Sequence, residues 1–234
     1  LKRKKVNGII SDSFLFDKVT KAIFGRRVPI VRLSDIPQKS QFPSCCIDDT
    51  AIGEAAAVIV YAKTDNPEEL PQGTLLMQNG AINNDANHIS GPSRTGEGLL
   101  RSISRTLADF DVHRLAFLNA HGTATPYNDD MESVAINRAG LQDLPVNSLK
   151  GYFGHTLGAA GVLEVLLSAR SLHDGVMLPS LGTGKMGTVQ PLNVPLAEHR
   201  DGKLILPEVH GDSFMKLISG FGGSNAALLF TLKS

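Results

Sequence analysis

Three short motifs contain the residues of this sequence that are best suited to chemistry. His121 lies in the run 119–126 (NAHGTATP), Lys150 and His155 lie in KGYFGH, and the run 220–225 reads GFGGSN. Two imidazole N–H groups that converge on one thioester carbonyl would stabilise the enolate that forms from it. Lys150 would add positive charge, and the glycine-rich run would offer backbone N–H groups for a second oxyanion hole.

The set also lacks a nucleophile. Cys45 and Cys46 are adjacent and lie far upstream of His121, and no serine occurs in a setting typical of a nucleophile. Asp129 and Glu132 are three residues apart on a predicted helix, so they share a face, and either is a candidate to hold Lys150. The motifs therefore predict an active site that is incomplete in this chain.

Each motif follows an apolar, strand-like run, and amphipathic helices are predicted between these runs. The predicted strands are 74–78, 115–118, 145–149, 216–219 and 226–232, and the predicted helices are 96–110, 129–139 and 158–172. This alternation indicates an α/β lobe with a mixed five-stranded sheet. Ligands of such sheets bind outside the carboxyl ends of strands, which is where the three motifs fall.

The first 73 residues are less regular. Strands are predicted at 6–10 and 55–62, a helix at 13–24, and irregular structure at 25–50, where three prolines occur. The run 64–73 (TDNPEELPQG) is typical of a linker and gives the predicted domain boundary.

Composition excludes several classes of protein. Lys plus Arg equals Asp plus Glu at 23 each, which gives no indication of nucleic-acid binding. No apolar run approaches the ~18 residues of a membrane span, and the histidines show no metal-ligand spacing. Two adjacent cysteines suit a reducing, cytoplasmic setting. The first residue is Leu, and we expect the chain to be a piece of a longer polypeptide.

Together the motifs resemble the C-terminal half of the β-ketoacyl-[acyl-carrier-protein] synthases, which are thiolase-like condensing enzymes. The resemblance rests on HGTxT from His121, on the spacing from Lys150 to His155, and on GFGGxN at 220–225. It extends to Asp129 and Glu132, which follow the first histidine by 8 and 11 residues. The resemblance implies that 74–234 is the C-terminal lobe and that 1–63 is the tail of the N-terminal lobe.

The resemblance also implies an activity, the decarboxylative condensation of an acyl thioester with malonyl-carrier protein in fatty-acid or polyketide synthesis. His121 and His155 would polarise the malonyl thioester, and Lys150, paired with Glu132, would orient them. The Phe221 N–H would hold the acyl oxyanion and its ring would gate the pocket. The substrate-binding residues would be Thr123, Thr125, Gly222 and Gly223, with the two threonines on the phosphopantetheine arm.

No cofactor is implied beyond the phosphopantetheine of an acyl carrier protein, which is the expected partner. The nucleophilic cysteine would come from the missing N-terminal lobe or from a partner subunit, in a homodimer or heterodimer. Two alternatives remain open at this point: a non-catalytic subunit like the chain-length factors, and a carrier-protein-binding fragment. The retained His121, Lys150 and His155 argue against the first, because a non-catalytic subunit need not keep them.

Overall fold

The computed structural model describes residues 57–88, 91–183 and 186–233, and the backbone of three short strands upstream. The chain divides into two compact units, one of Leu1–Lys63 with Thr156–Leu163 and one of Thr64–His155 with Glu164–Ser234. The predicted domain boundary at 64–73 stays a prediction.

In the first unit, strands β1 (Ile9–Ser11), β2 (Ile30–Leu33) and β3 (Ser44–Cys45) pair in parallel in that order. The strand predicted at 6–10 overlaps β1, whereas the irregular structure predicted at 25–50 is wrong at β2 and β3. The strand predicted at 55–62 is also wrong, because residues 57–62 have no regular structure although they are apolar. The helix predicted at 13–24 lies outside the described residues.

The second unit contains the five-stranded mixed sheet that the sequence predicts. Its strands run in the order β4-β10-β9-β5-β6. Their bounds are Leu75–Asn84 for β4, Leu115–Asn119 for β5, Val146–Asn147 for β6, Ser213–Gly220 for β9 and Ser224–Leu232 for β10. The β9–β5 and β5–β6 pairs are parallel, and the pairs on either side of β10 are antiparallel. A separate hairpin joins β7 (Glu198–Arg200) to β8 (Lys203–Ile205).

Among the described residues, four α-helices follow the start of this sheet, and the helices predicted at 96–110, 129–139 and 158–172 each have a counterpart. They are α1 (Glu97–Thr106), α2 (Pro126–Arg138), α3 (Lys150–Phe153) and α4 (Ala160–Asp174). In α2, Pro126 occupies the first turn, where its missing N–H costs nothing. An acidic residue in the same turn and Arg138 in the last one suit the helix dipole.

Alternation along the strands assigns side chains to the two faces of the sheet. Met215 and Leu217 of β9 are buried in one cluster with Ile103 of α1 and Ile136 of α2. Residues at even positions of β9 point the other way. There Phe214 stacks between Phe117 and Phe230, with ring centroids 5.5 and 5.1 Å apart. Lys216 lies on this second face and is fully buried.

The parallel strands bring their carboxyl ends to one edge of the sheet. Asn119 at the end of β5 pairs with Asn147 of β6 and with Lys216 of β9. The residues that follow these strands therefore start at the same edge. His121 follows β5, Lys150 follows β6, and Phe221 follows β9.

Candidate active site

The two predicted catalytic histidines lie against each other at this edge. The ring centroids of His121 and His155 are 5.1 Å apart and the rings are nearly perpendicular, with 81° between their planes. The His121 side chain is buried, whereas His155 is exposed. The exposed His155 ring therefore lies directly against the buried His121 ring.

Both imidazoles are held in the neutral form. Burial, followed by the positive charges of Lys150 and Lys216 and by His155, lowers the pKa of His121 to about 3. Burial and the two lysines also lower the pKa of His155, although Glu164 opposes this shift. A neutral imidazole carries one N–H donor and one acceptor. At neutral pH these rings are therefore suited to donate hydrogen bonds to an oxyanion without first losing a proton.

The low pKa of His121 predicts a loss of stability in acid. The pKa rises from about 3 in the folded protein to 6.5 in a free histidine, so between these values the unfolded state binds one more proton. The stability that depends on a neutral His121 is fully present above pH 6.5. As the pH falls toward 3, the free energy of unfolding decreases by up to about 1.4 kcal/mol per pH unit. Urea unfolding from neutral to acidic pH should show a shallower dependence for His121→Asn than for the wild type. Parallel profiles would contradict the assignment.

Glu132 supports the loop that carries His121. Its carboxylate accepts hydrogen bonds from the backbone N–H groups of His121 and Gly122, each at 2.7 Å, and from the Asn128 amide at 2.8 Å. Burial raises the pKa of the Glu132 carboxyl, and the two backbone donors oppose that rise. The predicted pairing of Glu132 with Lys150 is therefore wrong, because its oxygens are engaged by the loop backbone.

The turn itself requires glycine at position 122. Gly122 has a φ of +48°, and a Cβ there would lie 2.5 Å from the Cβ of Ser148. The Ser148 hydroxyl donates to the Gly122 carbonyl at 2.8 Å, so the loops after β5 and β6 are tied together. A side chain at this position would push the two loops apart.

The two predicted substrate-binding threonines lie beyond this turn. The hydroxyls of Thr123 and Thr125 are 2.7 Å apart, and Thr125 is exposed where it precedes α2. Asp129 accepts hydrogen bonds from the backbone of Thr123 and Ala124, while burial raises the pKa of its carboxyl. Asp129 is therefore a support for this loop rather than a partner of Lys150.

The true partner of Lys150 is Glu164 of α4. The Lys150 ammonium lies 2.8 Å from Glu164 Oε1 and also donates to the His121 carbonyl. The other carboxylate oxygen of Glu164 contacts the Lys216 ammonium. All three side chains are buried, with exposed fractions of 6% or less. One carboxylate thus joins two ammonium groups directly behind the histidine pair.

Glu164 and Lys216 join these residues in the structure, although no sequence motif pointed to them. Each is a charged residue inside an otherwise apolar run, VLEVLL in α4 and FMKLI in β9. A buried charge of this kind is rarely tolerated without a partner. A charged residue within an apolar run therefore indicates a buried ion pair, and this feature could have identified both residues.

The glycine-rich turn follows β9 at the same edge of the sheet. Gly222 and Gly223 have φ values of +78° and +75°, and the Phe221 side chain is 81% exposed. The Asn84 amide donates to the Gly222 carbonyl at 2.7 Å, and the Asp85 backbone N–H donates to the Gly223 carbonyl at 2.8 Å. The turn is therefore held in place by the end of β4.

Comparison with known proteins agrees with this geometry. Residues 76–183 match the family described as beta-ketoacyl synthase, C-terminal domain. The mitochondrial 3-oxoacyl-[acyl-carrier-protein] synthase of Arabidopsis thaliana is 30% identical over 92% of this chain and 47% of its own length. The 3-oxoacyl-[acyl-carrier-protein] synthase 2 of Vibrio harveyi is 28% identical over 88% of this chain and 50% of its own length. The chain spans about half the length of these curated relatives.

Solved structures of the same class share the fold. A beta-ketoacyl synthase from Burkholderia phymatum is 30% identical with a TM-score of 0.56, over 68% of this chain and 37% of its own. A ketosynthase in complex with its chain length factor, from Xenorhabdus doucetiae, is 29% identical with a TM-score of 0.59, over 70% and 40%. These likenesses define a thiolase-like α/β lobe. The chain is similar to the β-ketoacyl synthases, and residues 76–183 match their C-terminal domain.

Within the described part of the chain, no helix is both long and apolar enough to cross a membrane.

Proposed function

We propose that this chain supplies the His–His–Lys half of a decarboxylative condensing site, and that the intact protein is a 3-oxoacyl-[acyl-carrier-protein] synthase. The observation that carries the proposal is the contact between the His121 and His155 rings, 5.1 Å apart between centroids. Two neutral imidazoles at the same edge of the sheet offer two hydrogen-bond donors to a single carbonyl oxygen. Relatives bearing the name of this activity support the same function.

The first step is the loss of CO2 from a malonyl thioester. The bond between the malonyl methylene and its carboxylate breaks, and the electron pair moves into the thioester to form an enolate. His121 and His155 would donate hydrogen bonds to the enolate oxygen, which is worth about 3–4 kcal/mol for one such donor. The buried ammonium groups of Lys150 and Lys216 would favour the same negative charge.

The second step forms the new carbon–carbon bond. The enolate carbon attacks the carbonyl of an acyl group held as a thioester on a cysteine, and the cysteine leaves as its thiolate. That cysteine would come from an N-terminal lobe or a partner subunit. The Phe221 N–H would hold the oxyanion of the tetrahedral intermediate, and the exposed Phe221 ring would cover the acyl pocket.

Recognition of the donor would fall to the loop after β5 and to the glycine turn. Thr123 and Thr125 present adjacent hydroxyls that suit the amides of a phosphopantetheine arm. Gly222 and Gly223 would let that arm approach the backbone closely, because neither has a side chain. An acyl carrier protein is therefore the proposed partner, and the phosphopantetheine is substrate rather than a resident cofactor.

The proposal is tested by giving the intact protein malonyl-acyl-carrier protein that is isotopically labelled at the free carboxylate, with and without an acyl donor. We expect labelled CO2 to be released, and a 3-oxoacyl product to form when the donor is present. Binding of the carrier protein without CO2 release would overturn the proposal. It would favour a non-catalytic subunit, like a chain-length factor, or a carrier-binding fragment.

A further inference from the structure

Lys216 is a buried cation near the histidine pair. Its contacts indicate a role more specific than a general contribution of positive charge. It lies in β9, and its side chain has no exposed surface. Its ammonium donates to Asn119 Oδ1 at 2.6 Å and to the Ala120 carbonyl at 2.9 Å, and it contacts Glu164 Oε2. The ammonium thus makes two hydrogen bonds to the segment before His121 and one ion pair with Glu164.

The contacts of Lys216 match those of Lys150. Lys150 donates to the His121 carbonyl, and Lys216 donates to the carbonyl of Ala120, the preceding residue. The two lysines come from different elements, yet both contact the carboxylate of Glu164. Two consecutive carbonyls of the catalytic loop are therefore fixed by two cations that share one counter-ion.

We propose that Lys216 is a positioning residue for the condensation, which fixes the backbone before His121 and places a second positive charge, besides that of Lys150, next to the two imidazoles. The inference rests on the proposed function for its link to turnover. Lys150 and Glu164 alone form a neutral pair, and Lys216 adds one positive charge to it.

The charged groups around the rings agree with this role. The His121 ring faces Lys150, Lys216 and His155, and both lysines lower its pKa. The Glu132 carboxylate contacts the backbone N–H of His121. His155 faces Lys150, Glu164 and Lys216, and Lys216 again lowers the pKa of the ring. Lys216 therefore acts on both imidazoles through space, besides its contact with the loop.

Lys216→Met in the intact protein tests this inference, with two readouts. The titration of the His155 ring, followed by NMR, should move to higher pH because one nearby positive charge is removed. In malonyl decarboxylation, kcat should fall by up to about 10²-fold, because the backbone before His121 loses the hydrogen bond that fixes the position of its ring. The variant should fold, since Lys150 and Glu164 still neutralise each other.

Two further variants separate charge from hydrogen bonding. Lys216→Gln keeps an N–H donor for the loop but lacks the charge. Its kcat should therefore lie between those of Lys216→Met and the wild type, while its His155 ring should titrate at a higher pH than in the wild type. The double variant Lys216→Met/Glu164→Gln restores one net positive charge, so the titration should return toward that of the wild type.

An unchanged His155 titration in Lys216→Met and Lys216→Gln, with unchanged kcat, would overturn the inference. So would failure of both variants to fold, which would assign Lys216 to the core of the fold alone. If the wild type releases no CO2, the proposed function fails by itself, and the NMR titration still decides whether Lys216 acts on the imidazoles.

Discussion

Replacing Glu164 with glutamine should destabilise the folded protein by about 3–5 kcal/mol, because the change leaves buried ammonium groups without a counter-charge. Glu164 has no exposed surface and contacts the ammonium groups of both Lys150 and Lys216. Glutamine has nearly the same volume, so the loss would reflect charge rather than a cavity. Urea or thermal unfolding, monitored by circular dichroism at neutral pH, measures the change.

A matched control is available on the protein surface. Glu198→Gln removes a carboxylate whose side chain is 70% exposed and whose partner is Arg200. Exposed pairs contribute little, so its effect should stay within about 0.5 kcal/mol. If Glu164→Gln were as mild as this control, the contacts of this carboxylate with the two lysines would not be what stabilises the fold.

A double-mutant cycle then identifies the cause of the loss. Adding Lys216→Met to Glu164→Gln removes one of the two ammonium groups, so part of the lost stability should return. The free energies of the two single changes should therefore not add, as expected for residues in direct contact. Additive losses would indicate that Glu164 and Lys216 stabilise the fold independently of each other.

The sheet of the second unit could be predicted because its signals are local. Apolar runs and amphipathic spacing predicted all five strands and the three longer helices, and strand-end placement predicted that His121 and His155 meet. The same reasoning failed for 55–62, where an apolar run has no regular structure in residues 57–62. An apolar composition identifies a segment that prefers burial, but it does not say which strand will pair with it.

The partner of Lys150 could not be predicted from spacing. Asp129 and Glu132 share a face of α2 and lie near in sequence, which made them candidates. In the fold both carboxylates accept hydrogen bonds from backbone N–H groups of the preceding loop. These N–H groups need acceptors only because the chain turns at Gly122, and spacing in the sequence does not reveal that turn. Glu164 becomes the partner because α4 reaches the second face of the sheet, which is a long-range contact.

Replacing His121 or His155 with alanine should lower malonyl-carrier decarboxylation by about 10²–10³-fold in the intact protein, since each change removes one donor to the forming enolate. The rings lie 5.1 Å apart, so neither can be replaced by the other without moving the loop that carries it. His199→Ala, on the exposed hairpin strand β7, is the matched control and should keep the wild-type rate.

Glutamine at the same positions distinguishes a hydrogen-bond donor from a proton donor. The pKa of His121 is about 3, so its ring is neutral at physiological pH and donates through a single N–H. A glutamine amide can donate a similar hydrogen bond but cannot act as a general acid or base near neutral pH. His121→Gln should therefore retain more of the rate than His121→Ala, whereas equal losses in the two variants would mean that proton transfer, and not oxyanion stabilisation, is the role of this ring.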